Sequence, residues 1–434
     1  MEITKKVYSA PEAKELLLQA VDEIVSLLGE DSYNNPELIT ERLTGWASAL
    51  SGPLYDAIGY EIAHRHVQGI MIDVWVGPPG SGKGTNIDTL ELLGKAYAEV
   101  VSQGGARQLQ EPMHTNLLNR SLDRTVIVTG TGGMFNKPTG EYVELFGKLV
   151  AVIGPYVASG GFVPDAMVSV LTYLLLLYRL TQNYQAIQID LVPRTRQQFV
   201  EYQRLLAAVT KQGGKITSSI VILAALPDHI LEKVTRSVSQ YNSDAIEIGK
   251  LFAKQMNAEW YLALLDGLKN GPERSSLQRF EAENVLLRQL FEKVTDEAKT
   301  LRFGAEIIQE LETIVSRMEY RFHQELEEGK DLRPDAFPTS IVKRLLVYVT
   351  VTAPTFYQES MNNNQEITFY VVSTAGTPEE VAQGLFEKVL GNSDTDDVWK
   401  QVKVYAGKVA SALVYGKRPL VDDCVRAVGG ILLP

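Results

Sequence analysis

The chain has 434 residues, 45% of them apolar and 22% charged, and 42 Lys and Arg against 53 Asp and Glu leave a formal net charge of −11. That length suits more than one domain-sized unit, the composition excludes collagen, disulfide-scaffold and wholly disordered classes, and the acidic balance offers little long-range attraction to nucleic acid or an anionic membrane. The one cysteine, Cys424, builds neither an internal disulfide nor a thiolate zinc site, no apolar signal region opens the chain, and the longest apolar run, Met167 to Leu180, falls short of the roughly 20 residues of a membrane span, so a cytoplasmic protein is expected.

Residues 11–30 carry apolar side chains at helical spacing between Pro11 and Gly29 and predict an amphipathic helix. A second helix is predicted from about Pro36 to Leu50. His64 and His66 follow in helical context, where they point about 200° apart, so they are read as surface or capping residues rather than a metal pair. The period then changes. Ile70 to Val76 (IMIDVWV) is a short apolar run that suits a strand buried on both faces, and a helix is predicted from about Gly82 to Val101.

Further strands are predicted at Thr125 to Thr129, Ala186 to Asp190, Ser219 to Ala225 and Ile367 to Ser373, each separated from the next by helix-like sequence. Strands alternating with helices imply an α/β fold with a doubly wound parallel sheet, here of five strands flanked by helices. From about Val238 to Glu328 the texture is rich in Leu, Glu, Gln, Arg and Lys, with a break at Asn270-Gly271-Pro272. It predicts two or three helices in hairpins. The implied division is a helical extension (1–66), a core (67–235), a helical insertion (236–333), the rest of the core (334–392) and a helical C-terminal extension (393–434).

Between the first strand and its helix lies Gly77-Pro78-Pro79-Gly80-Ser81-Gly82-Lys83-Gly84-Thr85. Glycines let a backbone wrap phosphate oxygens, a helix N-terminus aims N–H groups at them, and Lys83 brings a positive charge to the transferring group. This is the P-loop pattern, with Gly84 intervening before Thr85. The GKGT form is the one found in nucleoside monophosphate kinases.

Beyond the loop, Asp190-Leu191-Val192-Pro193-Arg194-Thr195 with Gln198 resembles the Asp-Gly-Phe-Pro-Arg-Thr signature and later Gln of the adenylate kinase family. Arg333-Pro334-Asp335, Ile341 to Leu345, Tyr348, Thr352-Ala353-Pro354 and Tyr357 resemble its stretch after the lid. Val128-Thr129-Gly130 and Gly160 to Asp165 resemble the bounds of its acceptor-binding segment, here residues 129–165. The resemblance covers roughly half the chain. It implies a P-loop kinase core that uses ATP and Mg²⁺, with a helical insertion in place of the lid.

By that resemblance Asp190 organises the Mg²⁺ waters, and Arg194, Arg333 and Arg344 join Lys83 in holding phosphate charge during transfer. The donor ATP is bound by Gly77, Pro79, Gly80, Ser81, Gly82, Lys83, Gly84 and Thr85, by Arg236 near the start of the lid, and by Gly376 and Thr377 against its adenine. The acceptor is bound by Thr129, Asn136, Lys137, Val163, Arg194 and Gln198.

The chain departs from the family at three places. Aligned on Met134, Asn136 stands where the family has an arginine for the acceptor phosphate, and Lys137 is the neighbour able to replace its charge. Leu191 replaces a glycine that lets the acceptor base approach. The segment 237–332 holds no Cys and only His323, which excludes a structural zinc lid. Three functions follow: a kinase of nucleoside monophosphates with AMP as the leading acceptor, an ATP-binding regulatory or interaction protein that has lost its acceptor site, and a P-loop kinase for another nucleotide or small acceptor. The partners are nucleotides, not nucleic acid or membrane, and the helical extensions leave room for a protein partner or self-association.

Overall fold

The computed structural model of the chain describes residues 8–32, 36–103, 124–128, 144–145, 147–149, 151, 163–190, 192–269, 275–329, 337–362, 366–391 and 397–432. It is a mostly helical α/β fold with parallel strands. Two compact units divide the chain. The first comprises Met1–Val76, Leu118–Ile220 and Glu366–Thr368; the second comprises Gly77–Leu117, Val221–Gln365 and Phe369–Pro434.

In the first unit, helices α1 (Ala10–Ser32) and α2 (Pro36–Arg65) precede strand β1 (Ile70–Val76). Helix α2 runs well past the predicted end at Leu50 and carries Pro53 inside it. Leu43, Ala47, Leu50, Leu54, Ile58 and Ile62 are all buried at spacings of three and four, so one continuous apolar face outweighs the roughly 3 kcal/mol cost of an internal proline. Helix α3 (Lys83–Ser102), which belongs to the second unit, separates β1 from β2 (Arg124–Val128) in the chain.

The first unit continues with α4 (Asp165–Thr181), β3 (Ala186–Asp190), α5 (Arg196–Lys211) and the start of β4 (Ile216–Ala224). Its strand order is β2-β3-β1-β4. Strand β3 pairs in parallel with β1 and β2, and Asp190, its last residue, lies in register with Trp75 and Val128.

The apolar run Met167 to Leu180 is the buried body of α4. Tyr55 of α2 meets Tyr173 of α4 edge to face at 5.4 Å and donates its hydroxyl to Glu201 of α5 at 2.9 Å. Gly59 permits the close approach of α2 to α5, since a Cβ there would lie 2.8 Å from Gln212 Nε2 and 3.2 Å from Ala208 O. The two histidines part because α2 ends at Arg65, between them. His64 stacks on Tyr60 at the surface, whereas His66 is buried with Nε2 3.1 Å from Leu180 O, capping the end of α4.

The second unit begins with the loop at Gly77 and helix α3, and takes up the second half of β4. Then come α6 (Asp228–Arg236), α7 (Val238–Met256), α8 (Glu259–Lys269), α9 (Ser276–Ala298) and α10 (Gly304–Glu327). Among its described residues the segment from Val238 to Glu327 thus holds four helices, not two or three, because it turns twice without glycine or proline to mark the place. Asn257 ends α7, and Lys299 to Phe303 join α9 to α10.

Helix α11 (Pro338–Val347) runs through a π-helical turn (Tyr348–Thr352) into α12 (Ala353–Met361). Strand β5 (Ile367–Ser373) follows β4 in the hydrogen-bonded order, and just past it Thr374 N donates to Ala224 O at 2.7 Å. Helices α13 (Pro378–Leu390), α14 (Asp397–Val414) and α15 (Val421–Leu432) complete the unit, the last two packing on α3. Among the described residues, no helix is long and apolar enough to cross a membrane.

Candidate functional site

The loop from Gly77 to Thr85 is shaped by its glycines. Gly80 and Gly82 have φ of 74° and 81°, the left-handed region that glycine enters without cost, and such alternation turns successive backbone N–H groups toward one side. Gly77 answers a different need. A Cβ there would sit 2.8 Å from Ser81 Oγ and 2.9 Å from Leu223 O, so only glycine allows β4 this close.

Gly82 is the N-cap of α3 and has no side chain to satisfy the first-turn N–H groups, which suits a helix end that awaits an anion. Lys83 is only 8% exposed and folds back over the loop, Nζ donating to Gly77 O at 2.8 Å and to Pro78 O at 3.1 Å. Ser81, 2% exposed, has a hydroxyl oxygen with no hydrogen-bond partner. A buried hydroxyl without a partner costs free energy that a bound acceptor atom restores.

The helical insertion reaches this loop directly. On α10, Glu310, Ile314, Arg317 and Met318 lie at spacings i, i+4, i+7 and i+8, which share one helix face. Met318 Sδ is 3.2 Å, and Arg317 Cβ 3.6 Å, from where a Cβ on Gly80 would stand. The Arg317 guanidinium donates to Thr374 Oγ1 at 3.1 Å and to Thr374 O, and burial lowers its pKa from the usual arginine value.

Glu310 is fully buried where β4 ends. Its Oε1 accepts from Ala225 N at 3.1 Å and from the Tyr348 hydroxyl at 3.4 Å, and its Oε2 accepts from the Tyr241 hydroxyl at 3.0 Å. Burial pushes its carboxyl up to about 7 despite those three donors. No motif marks Glu310, Arg317 or Met318, and the only signal in the sequence is their helical spacing.

The other residues of the second unit take separate places. Gly376 and Thr377 follow β5, and Thr377 caps α13 in a capping box with Glu380, its Oγ1 accepting from Glu380 N at 3.2 Å. Arg344 lies on α11, partly buried, one turn before Tyr348. Arg236 ends α6 with its side chain 80% exposed and 3.5 Å from Glu232.

In the first unit, two sequence motifs meet. Asp165, the first residue of α4, accepts from Thr195 Oγ1 at 2.6 Å and from Gln198 Nε2 at 2.8 Å. Gln198 Oε1 accepts from Arg194 N at 2.8 Å, and Thr195 Oγ1, the N-cap of α5, accepts from Gln198 N at 3.2 Å. Gln198 is 3% exposed, so its amide serves to join α4 to α5. Val163, two residues before Asp165, is partly exposed.

Asp190 occupies the end of β3 opposite Trp75, two residues before Gly77 in the chain. A single carboxylate at a strand end suits a hydrated cation carried by phosphates, which needs few protein ligands. Among the described residues, no group of three or more His, Cys, Asp or Glu is placed to hold a bare metal ion. Thr129, Asn136, Lys137, Leu191 and Arg333 lie outside the described residues. No protein-family model matches the chain, and no curated protein matches it.

Proposed function

We propose that the chain transfers the terminal phosphoryl group of Mg-ATP to a nucleoside monophosphate, with AMP as the leading acceptor. The observation that carries this reading is the loop itself: left-handed Gly80 and Gly82, a buried Lys83, and a buried Ser81 hydroxyl without a partner at the start of α3. An ordinary strand-to-helix turn needs none of these. The parallel α/β fold is in keeping with the reading, since ligands of doubly wound parallel sheets bind beyond the carboxyl ends of the strands.

The loop backbone and Ser81 cradle the donor phosphates, and Lys83 leaves Gly77 O and Pro78 O to follow the charge that spreads over the transferring group. By the sequence resemblance, Arg344, Arg194 and Arg333 would supply guanidinium groups for the equatorial oxygens and the acceptor phosphate, the kind of charge that phosphoryl transfer calls for. Asp190 would hold Mg²⁺ through water, and the ion would supply positive charge to the donor phosphates. No general base is needed, because the acceptor phosphate is already an anionic nucleophile at neutral pH. The reaction is then accelerated by positioning and electrostatics.

The test is ADP formation by the purified protein with Mg-ATP and AMP, CMP, UMP, GMP or dTMP in turn, with Lys83→Ala as the blank. Turnover that depends on one monophosphate supports the kinase reading and names the acceptor. A second reading, an ATP-binding interaction protein without an acceptor site, is favoured by the engagement of both ends of the Gln198 amide by Asp165 and Arg194 N. ATP binding without any phosphorylated monophosphate would select it.

A further inference from the structure

We propose that Arg317 binds the phosphates of the donor nucleotide, a contact supplied by the helical insertion rather than by the P-loop or its neighbours. The proposal rests on the reading of Gly77 to Thr85 as the donor loop. Its physical basis is a cation without a counter-ion. The Arg317 guanidinium has five N–H donors, and its two hydrogen bonds go to uncharged oxygens of Thr374. Among the described residues, no carboxylate pairs with it. A half-buried guanidinium facing only neutral acceptors is costly unless an anion completes it.

The position of α10 says where that anion lies. Met318 and the Cβ of Arg317 touch the space over Gly80, and Glu310, two turns earlier on the same face, is bound to Ala225 N. The helix therefore meets the loop at Gly80 and is held to the end of β4 at Ala225. The second sign of a ligand is independent: Ser81 Oγ, buried in the same loop, has no partner. A polyphosphate at the N-terminus of α3 accepts from Ser81 and brings the anion that Arg317 lacks. Arg317 then exchanges a neutral carbonyl for phosphate oxygens, to which charge-assisted and bidentate bonds are stronger. In this arrangement the insertion is part of the donor site and not only a cover.

Binding of Mg-ATP and of inorganic tripolyphosphate to wild type, Arg317→Met, Arg317→Lys and Lys83→Ala, measured by calorimetry, tests this. Tripolyphosphate isolates the phosphate contacts from those of the base. Arg317→Met is expected to weaken both ligands by about tenfold or more, and Arg317→Lys to recover part of the loss. Thermal melts followed by circular dichroism verify that each variant is folded, and the lysine variant carries the test if the methionine variant is not. Wild-type affinity for tripolyphosphate in both folded Arg317 variants would overturn the role of Arg317 while leaving the donor loop standing if Lys83→Ala still weakens binding. Failure of the wild type to bind either ligand would remove the donor-loop reading and Arg317 with it.

Discussion

The loop at Gly77 to Thr85 and the cluster of Asp165, Thr195 and Gln198 are both assembled from motif residues, yet they use their polar groups in opposite ways. In the loop, the Ser81 hydroxyl is buried without a partner, and the half-buried Arg317 nearby makes its bonds to uncharged oxygens only. In the cluster, each Asp165 oxygen accepts a side-chain hydrogen bond and the Gln198 carbonyl takes the Arg194 N–H. An unsatisfied buried hydroxyl in a glycine-rich loop at a helix N-terminus suits a ligand, whereas a closed network holds its own shape. The two regions should therefore fail differently, the loop in ligand binding and turnover and the cluster first in stability.

The largest expected effect breaks the loop alone. If the kinase reading is right, Lys83→Ala should lower phosphoryl transfer by about 100- to 1,000-fold, the scale for losing one preorganised charged donor, while the chain stays folded. Normal turnover would remove Lys83 from the site. Gly77→Ala should destabilise by about 1 to 3 kcal/mol, because its Cβ meets Ser81 Oγ and Leu223 O and β4 has to shift. A chemical-denaturation midpoint equal to wild type would mean that the loop is looser than its geometry shows. On the other side, Asp165→Ala removes two hydrogen bonds to a carboxylate and should cost about 2 kcal/mol of stability. If the kinase reading is right, it should also raise the acceptor KM more than it lowers kcat. An unchanged melt with lost activity would reverse the contrast drawn between the two regions.

The sequence carries these regions unequally. Strands β1, β3 and β5 begin and end where their apolar runs do, and the loop is legible because each unusual φ requires a glycine at a fixed position. Asp165 and Gln198 stand in recognisable motifs, yet their bond to each other joins residues 33 apart and no local pattern announces it. The continuation of α2 through Pro53 was hidden by a residue that reads as a breaker, and only tertiary burial explains it. Arg317 was the least legible. Its partner Thr374 is 57 residues away, and its helix has the ordinary texture of a solvated hairpin. Local chemistry writes the loop into the sequence, while long-range contacts decide what lies over it.

The smallest expected effect concerns the wall of the loop. Leu223 O faces Gly77, and two residues on, Ala225 N is held by Glu310. Burial raises the Glu310 carboxyl from its ordinary 4.5 to about 7, so the folded chain holds this proton more tightly than the unfolded chain does. Its contribution to stability is complete below the unfolded value and is lost as pH rises through about 7. The melting temperature should therefore fall between pH 5 and pH 8, by about 2 °C or more. Glu310→Gln keeps the size of the side chain and removes its titration, so its melting temperature should change less across that interval and exceed that of wild type at pH 8. An equal slope in both proteins would show that another group sets the pH dependence and that Glu310 is held as a carboxylate. A flattened slope would identify a titrating carboxyl in the wall of the loop, through which pH reaches the loop.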